Sequence, residues 1–81
     1  MITFQLTTDF IELHRLLKIT GLSESGGEAK YLISQGLVKV NGEVETRKAC
    51  KIKAGSKVDY HGEIIQVESA SSKIAQKSPE V

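Results

Sequence analysis

The sequence predicts an α+β domain in which two short packed helices lie against a small, mostly antiparallel sheet. The chain opens with alternating apolar residues, continues with two segments of helical apolar spacing, and ends with short alternating segments separated by turn dipeptides. Its 81 residues suffice for one hydrophobic core but not for two. We therefore expect residues 1–68 to form a single domain.

The first element is a short strand at the start of the chain. Ile2, Phe4 and Leu6 alternate with polar residues, which is typical of a strand with one buried face. We expect this strand to lie at an edge of the sheet.

Helix one is predicted over about residues 10–20, where apolar residues recur at helical spacing. Asp9 and Glu12 have the spacing of a capping box at its start. Gly21 follows the last apolar turn, as a C-terminal cap requires.

Helix two is predicted over about residues 26–35. Ser25 and Glu28 form a stronger capping box, and the apolar stripe that follows consists of Ala29, Leu32 and Ile33. The connection between the two helices is short, so we expect them to pack against each other.

A β-hairpin is predicted around the dipeptide Asn41-Gly42, the strongest short hairpin signal in the chain. The sequence leaves the register of this hairpin open. A two-residue turn would pair Val40 with Glu43, whereas a three-residue loop would pair Val40 with Val44 and keep the valines on one face.

Two further short strands are predicted on either side of a His61-Gly62 turn, after an earlier turn at Ala54-Gly55. Their candidate core residues are Val58, Tyr60, Ile65 and Val67. Residues 69–81 are rich in serine and poor in large apolar residues, so we expect a disordered tail there.

Composition and charge exclude several classes of protein. The single cysteine, Cys50, allows no intrachain disulfide and no paired-cysteine metal site, and we interpret it as a small buried apolar residue. We expect no cofactor and no bound metal. No signal-peptide pattern or long apolar segment is present, so we expect a cytoplasmic protein with no membrane partner.

The positive charge is concentrated although the total is small. Eleven Lys and Arg against ten Asp and Glu give a net charge of +1. Residues 39–57, in contrast, hold six cationic residues against two acidic ones, a local charge of +4. Such a run is a solvated face more often than a binding site, but it would also suit a polyanionic partner.

Two adjacent glycines, Gly26 and Gly27, open helix two, where glycine lowers helix stability. The helix N-terminus has unpaired amides and a partial positive charge, and glycine would let an oxyanion reach them. Lys30, one turn later on the same face, would add a point charge. The residues thus indicate a phosphate site, with close packing between the helices as the alternative explanation.

Further cations could extend this phosphate site. Arg15 and Lys18 share a face of helix one with His14, and the segment RKACKIK after the hairpin supplies Arg47, Lys48, Lys51 and Lys53. Such a density of cations could contact several phosphates of a folded nucleic acid.

The pattern L-L-x-x-x-G-L-x-x-S-x-x-E-A-K-x-x-I-x-x-G-x-V-x-V-N-G, from Leu16 to Gly42, resembles the alpha-L RNA-binding domain named after the small-subunit ribosomal protein S4. The segments SESGGEAK and VETRKACKIKAG further resemble the small stand-alone bacterial members of that family, the YbcJ-like proteins. The resemblance is tight over about Leu16 to Val58 and looser at the first strand and the last hairpin.

This resemblance implies a non-enzymatic protein that binds structured RNA, ribosomal or transfer RNA, with the start of helix two and the adjoining hairpin. The contacts carried over by position are Ser25, Gly26, Gly27, Lys30, Lys39, Asn41 and the run from Arg47 to Lys53. A ribosomal or RNA-modifying protein is a further expected partner. The alternative is a protein-interaction adaptor associated with the ribosome or with RNA-processing machinery, which the small net charge favours.

Overall fold

The computed structural model describes residues 1–70, which form seven strands and two α-helices. In chain order these elements are β1 (Ile2–Leu6), β2 (Ile11–Glu12), α1 (Leu13–Ile19), α2 (Gly26–Ser34), β3 (Val38–Val40), β4 (Glu43–Val44), β5 (Lys51–Ile52), β6 (Lys57–Tyr60) and β7 (Glu63–Ser69). The predicted α+β class with two short helices is confirmed.

Five of the strands form one sheet in the order β1-β7-β6-β3-β4. All neighbours are antiparallel except β1 and β7, which run parallel, and β1 lies at an edge as predicted. A separate pair, β2 with β5, was not predicted, because strands of two residues leave no period in the sequence. This small pair joins the start of α1 to the chain that follows β4.

The hairpin between β3 and β4 has the shorter of its two candidate registers. Val40 pairs with Glu43, so the turn consists of Asn41 and Gly42, with φ of 53° and 88°. Two successive residues with positive φ suit the twist of a two-residue hairpin, and asparagine and glycine tolerate this conformation best. The geometry of the turn therefore decides the register, and Val44 is left 55% exposed.

The hydrophobic core lies between the helices and one face of the main sheet. Of the predicted core residues, Val58, Ile65 and Val67 are fully buried, while Tyr60 is half-buried and packs against the core. The helices contribute Leu13, Leu16, Leu17, Ala29 and Ile33. The opposite face of the sheet, which we call the outer face, carries the exposed residues Thr3, Gln5, Lys39, Val44 and Lys57.

Helix α1 starts three residues later than predicted, and the proposed capping box of Asp9 with Glu12 does not form. Glu12 is the N-cap, but its side chain makes no capping hydrogen bond, and its extended backbone pairs with Lys51. The first amides of α1 instead donate to carbonyl groups of residues 48 and 50. The predicted glycine at the other end is confirmed, since Gly21 follows the C-cap with φ of 84°.

The predicted bounds of helix two agree with the structure to within one residue. Ser25 is the N-cap, and its hydroxyl accepts a hydrogen bond from the Glu28 amide at 3.1 Å. The Glu28 carboxylate accepts from the amide of Glu24 at 2.7 Å, one residue before the partner that a standard capping box would use. The Ser25 hydroxyl and the Glu28 carboxylate thus both fix the first turn of α2 through hydrogen bonds.

Most of the predicted tail, residues 69–81, lies outside the described residues. Ser69 is the last residue of β7 and pairs with Leu6. Among residues 1–70, no helix is long and apolar enough to cross a membrane. The same residues bring no three His, Cys, Asp or Glu side chains together in a group that could hold a metal ion.

Candidate nucleic-acid interface

The amides that open α2 are free within the described part of the chain. The Glu28 amide donates to the Ser25 hydroxyl, and the Ala29 amide donates to the Ser25 carbonyl. Gly26 and Gly27 donate no backbone hydrogen bond to any residue in 1–70. Two N–H groups at the positive end of the helix dipole therefore remain available to an acceptor from outside.

The two glycines are not required by packing inside the protein. A methyl group added at Gly26 would meet no atom within 4 Å, and one at Gly27 would meet only the Ser25 hydroxyl at 3.9 Å. The helices pack against each other through Leu17, Ala29 and other buried residues, away from these glycines. Close helix packing therefore does not explain the glycine pair.

The solvent-facing side of α2 carries Lys30, which the sequence predicts on the same face as the two glycines. Lys30 and Tyr31 are exposed, and Tyr31 retains 61% of its surface. Glu28 is also exposed, but it lies about 160° around the helix from Lys30 and is held by the Glu24 amide. The free amides and Lys30 thus share one face of α2, while the Glu28 carboxylate lies beside the helix N-terminus, bound to the Glu24 amide.

Helix α1 presents Arg15 and Lys18 to solvent on the side opposite its buried leucines. The connection that leads into α2 returns to the last turn of α1, where the amides of Leu22 and Ser23 both donate to the carbonyl of Leu17. The start of α2 is therefore held beside the end of α1.

Residues 47–53, which we call the basic run, are attached to the first turn of α1. The amides of His14 and Leu13 donate to the carbonyl groups of Lys48 and Cys50, at 3.2 and 2.9 Å. Because α1 has seven residues, its two ends lie about 10 Å apart. The α2 N-terminus and the basic run therefore occupy opposite ends of α1, with the exposed cations of α1 between them.

Arg47 is ion-paired within this run. Its Nε and one terminal nitrogen donate to the two carboxylate oxygens of Glu45 at 2.9 and 3.1 Å, and its own amide donates to Glu45 at 2.9 Å. The hydrogen bond from the guanidinium lowers the pKa of the Glu45 carboxyl from 4.5 to about 2. This pair was not predicted from the sequence, where Glu45 counts only as negative charge; the Glu-x-Arg spacing is the signal that could have indicated it.

The other side chains of the run differ in their surroundings. The Lys51 ammonium lies 5.0 Å from the centre of the Phe10 ring, a cation–π contact that steadies it. Lys48 and Lys53 are exposed. Burial raises the pKa of the Cys50 thiol, and the negative charge of Glu45 raises it further, so Cys50 stays a thiol at neutral pH.

The hairpin residues Lys39 and Asn41 do not lie with the cations of the helices. Lys39 lies on the outer face between Val44 and Asp59, on the side of the sheet away from the helices. The side-chain oxygen of Asn41 accepts from the Lys57 amide at 2.9 Å and so fastens the turn to β6. The structure therefore separates Lys39 from the cations on the helices and uses Asn41 to hold the hairpin.

Comparison with known proteins places these features in a family. A model described as "S4 domain" matches residues 4–68. The chain is 56% identical over 57 residues to "Putative RNA-binding protein YbcJ" of Escherichia coli strain K12. The aligned segment covers 70% of this chain and 81% of that protein. It is 36% identical over 55 residues to "Probable ribosome maturation protein RlbA" of Bacillus subtilis strain 168, with coverage of 68% and 78%.

A solved structure agrees with this assignment. The solution structure of YbcJ from E. coli, described as revealing an alphaL motif involved in RNA-binding, superposes with a TM-score of 0.67. The two chains are 52% identical, and the match covers 84% of this chain and 87% of the other.

Proposed function

The chain belongs to the S4 domain family, and from this premise we propose that it binds structured RNA through backbone phosphates and catalyses no reaction. The observation that carries this proposal is the pair of free amides at Gly26 and Gly27, with open space where a side chain at either position would lie. Phosphate oxygens are strong acceptors that suit unpaired amides at a helix N-terminus. Glycine allows them to approach without meeting a side chain.

The contacts follow from the chemistry of each group. The α2 amides donate to one phosphate, and Lys30 adds charge from the next turn. The cations on α1, and those of the basic run attached to its first turn, then contact phosphates further along the RNA. We call this set the proposed RNA surface: Arg15, Lys18, Gly26, Gly27, Lys30, Lys48 and Lys51. Contacts to phosphate set affinity and orientation, whereas recognition of a folded RNA depends on its shape.

The RNA in this proposal is ribosomal or transfer RNA, encountered in the cytoplasm. The B. subtilis relative with the name "Probable ribosome maturation protein RlbA" favours ribosomal RNA. Ser25 acts indirectly, by fixing the turn that carries the amides. Lys39 and Asn41 are peripheral in this proposal, since the hairpin residues lie away from the helices. Lys53 is exposed at the end of the basic run and is kept as an additional candidate contact.

A protein-interaction adaptor is the second candidate. Leu37 and Val44 are 44% and 55% exposed near the edge strand β4, where Val44 approaches Gly36. An apolar edge of this kind can take up another protein. Purification from cell extract with and without ribonuclease separates the two functions, because a partner retained after digestion is not held through RNA.

Two charge-matched double variants test the RNA proposal. Lys30→Glu with Lys48→Glu reverses two cations of the proposed RNA surface, whereas Lys39→Glu with Lys57→Glu reverses two on the outer face. Filter binding to purified ribosomal RNA, and separately to transfer RNA, should show a loss of roughly a hundredfold or more for the first variant and a much smaller loss for the second.

The outcomes of this test are distinct. Equal losses would mean that net charge alone controls binding and would overturn the proposed surface. A larger loss from the outer-face variant would move the interface to the hairpin. Unchanged circular dichroism and thermal unfolding of both variants are the control for folding.

A further inference from the structure

Glu45 is an acidic residue inside a basic run, yet its position is not that of a solvated counter-charge. Its side chain is only 16% exposed, whereas that of its partner Arg47 is 77% exposed. It accepts three hydrogen bonds from Arg47, one from the backbone amide and two from the guanidinium. A bidentate pair of this kind fixes the orientation of the guanidinium as well as its distance.

This pair closes the loop between β4 and β5. The Arg47 carbonyl accepts from the Cys50 amide at 3.2 Å, so a tight turn follows the pair directly. The carbonyl groups of Lys48 and Cys50, in the same turn, accept the first amides of α1. The loop that carries Arg47 and Lys48 is thus held at one side by Glu45 and at the other by α1.

The guanidinium has donors to spare after this pairing. Arginine carries five N–H groups, and Glu45 engages Nε and one terminal nitrogen. The other terminal nitrogen makes no hydrogen bond to residues 1–70, and the side chain is largely exposed. The terminal nitrogen that binds Glu45 also lies 4.0 Å from the Cys50 sulfur, so Arg47 can hold Glu45 on one edge and present its free terminal nitrogen to an anion.

From these contacts we infer that Glu45 is a positioning residue of the RNA interface. It holds Arg47 so that the free edge of the guanidinium, together with Lys48, receives an RNA phosphate. The inference rests on the proposed function, and it adds Arg47 to the proposed RNA surface as a residue that contacts phosphate while paired.

Considered only as a negative charge, Glu45 should have the opposite effect on RNA affinity. A carboxylate near an RNA surface repels phosphate, so its removal should strengthen binding. If Glu45 instead positions the cations, its removal weakens binding although the net charge of the protein becomes more positive. The direction of the change alone therefore distinguishes the two roles.

The test compares Glu45→Gln with Glu43→Gln, which removes the same charge two residues earlier. Glu43 is exposed on β4, and its side chain makes no hydrogen bond to the described residues. With purified ribosomal RNA as the probe, we expect Glu45→Gln to bind roughly five- to tenfold more weakly. Glu43→Gln should bind as tightly as the unmodified protein or slightly more tightly.

Arg47→Lys provides a second variant that keeps the charge of every group. Lysine cannot form the bidentate pair, so we expect a loss of affinity similar to that of Glu45→Gln. In the double variant the losses should not add, because both substitutions break one unit. The slope of log affinity against log salt should fall by about one phosphate contact, roughly 0.7 to 0.9, in each variant.

The result that overturns this inference differs from the one that overturns the proposed function. Tight RNA binding by the unmodified protein with equal or tighter binding by Glu45→Gln would exclude the positioning role and leave RNA binding intact. Additive losses in the double variant would exclude it as well. Absence of RNA binding by the unmodified protein would overturn both proposals.

Discussion

Glycine at the first two positions of α2 has no steric cause within the described part of the protein. Each glycine lowers helix stability by up to about 1 kcal/mol relative to alanine. Neither has a φ in the left-handed region, and neither lies against a neighbouring element. The proposed approach of an RNA phosphate would account for both residues.

Gly27→Ala should therefore raise stability and lower RNA affinity at the same time. Alanine fits the space and favours the helix, which adds up to about 1 kcal/mol to the free energy of unfolding. Its methyl group would obstruct the approach of phosphate to the amide and weaken binding by roughly tenfold. Urea unfolding and filter binding measure the two effects.

Ser34→Ala, near the other end of α2, is the control for Gly27→Ala. It changes an exposed helical position by a similar volume and should leave RNA affinity unchanged. A Gly27→Ala protein that binds RNA as tightly as the unmodified one would exclude close approach at this amide.

A second prediction for single residues concerns the ion pair of Glu45 and Arg47. The pKa of the Glu45 carboxyl should be about 2, measured from its side-chain carbon shift by NMR. Because the folded pKa lies below the unfolded value near 4.5, the pair stabilises the protein above pH 4.5 and loses this contribution as pH falls towards 2.

Arg47→Ala should return the pKa of Glu45 towards 4.5 and remove this part of the acid dependence of stability. Urea unfolding of both proteins between pH 6 and pH 2 tests the second effect. A low pKa that persists in Arg47→Ala would assign the shift to a group other than the guanidinium.

At the scale of single elements, α1 and the basic run form one unit. A helix of seven residues is unstable by itself, and the first amides of α1 are capped by the Lys48 and Cys50 carbonyl groups instead of by a side chain. The start of the helix therefore depends on the loop, and the loop in turn is anchored by the helix.

Helix α2 begins differently, with its own side-chain cap. Ser25→Ala should lower the free energy of unfolding by about 1 kcal/mol, because it leaves the Glu28 amide without its acceptor. Ser34→Ala removes a hydroxyl that donates to the Tyr31 carbonyl in the last turn, and its effect should stay within about 0.5 kcal/mol. Equal losses in urea unfolding would contradict the capping role of Ser25.

At the scale of the whole molecule, the sheet separates two surfaces. The helices cover one face, and their exposed side carries the proposed RNA surface. The outer face mixes Lys39 and Lys57 with Asp59 and Glu68. A net charge of only +1 is therefore compatible with a locally basic surface.

The salt dependence of RNA binding should reflect the local surface instead of the net charge. If the five cationic side chains of the proposed RNA surface and Arg47 each contact a phosphate, the slope of log affinity against log salt lies between about −4 and −5.5. Filter binding between 50 and 200 mM salt measures this slope. A slope near zero would exclude phosphate contacts as the main source of affinity.

The sequence by itself determined the elements that carry a local signal. Ser25 with Glu28 predicted the start of α2, Gly21 the end of α1, and Asn41-Gly42 the hairpin, because caps and turns depend on residues close together in the chain. The apolar periods of β1, β6 and β7 predicted the buried residues that the strands contribute at Leu6, Val58, Ile65 and Val67. The cations of the candidate site were predicted as a set, but without their arrangement.

Only the tertiary structure decided how distant segments meet. The parallel pairing of β1 with β7, the two-residue pair of β2 with β5, and the capping of α1 by residues 48 and 50 join segments far apart in the chain. Hydrogen bonds of this kind leave no spacing in the sequence, because they depend on backbone groups that every residue has. Likewise, only the fold showed that Lys39 faces away from the helices and that the glycines of α2 face open space.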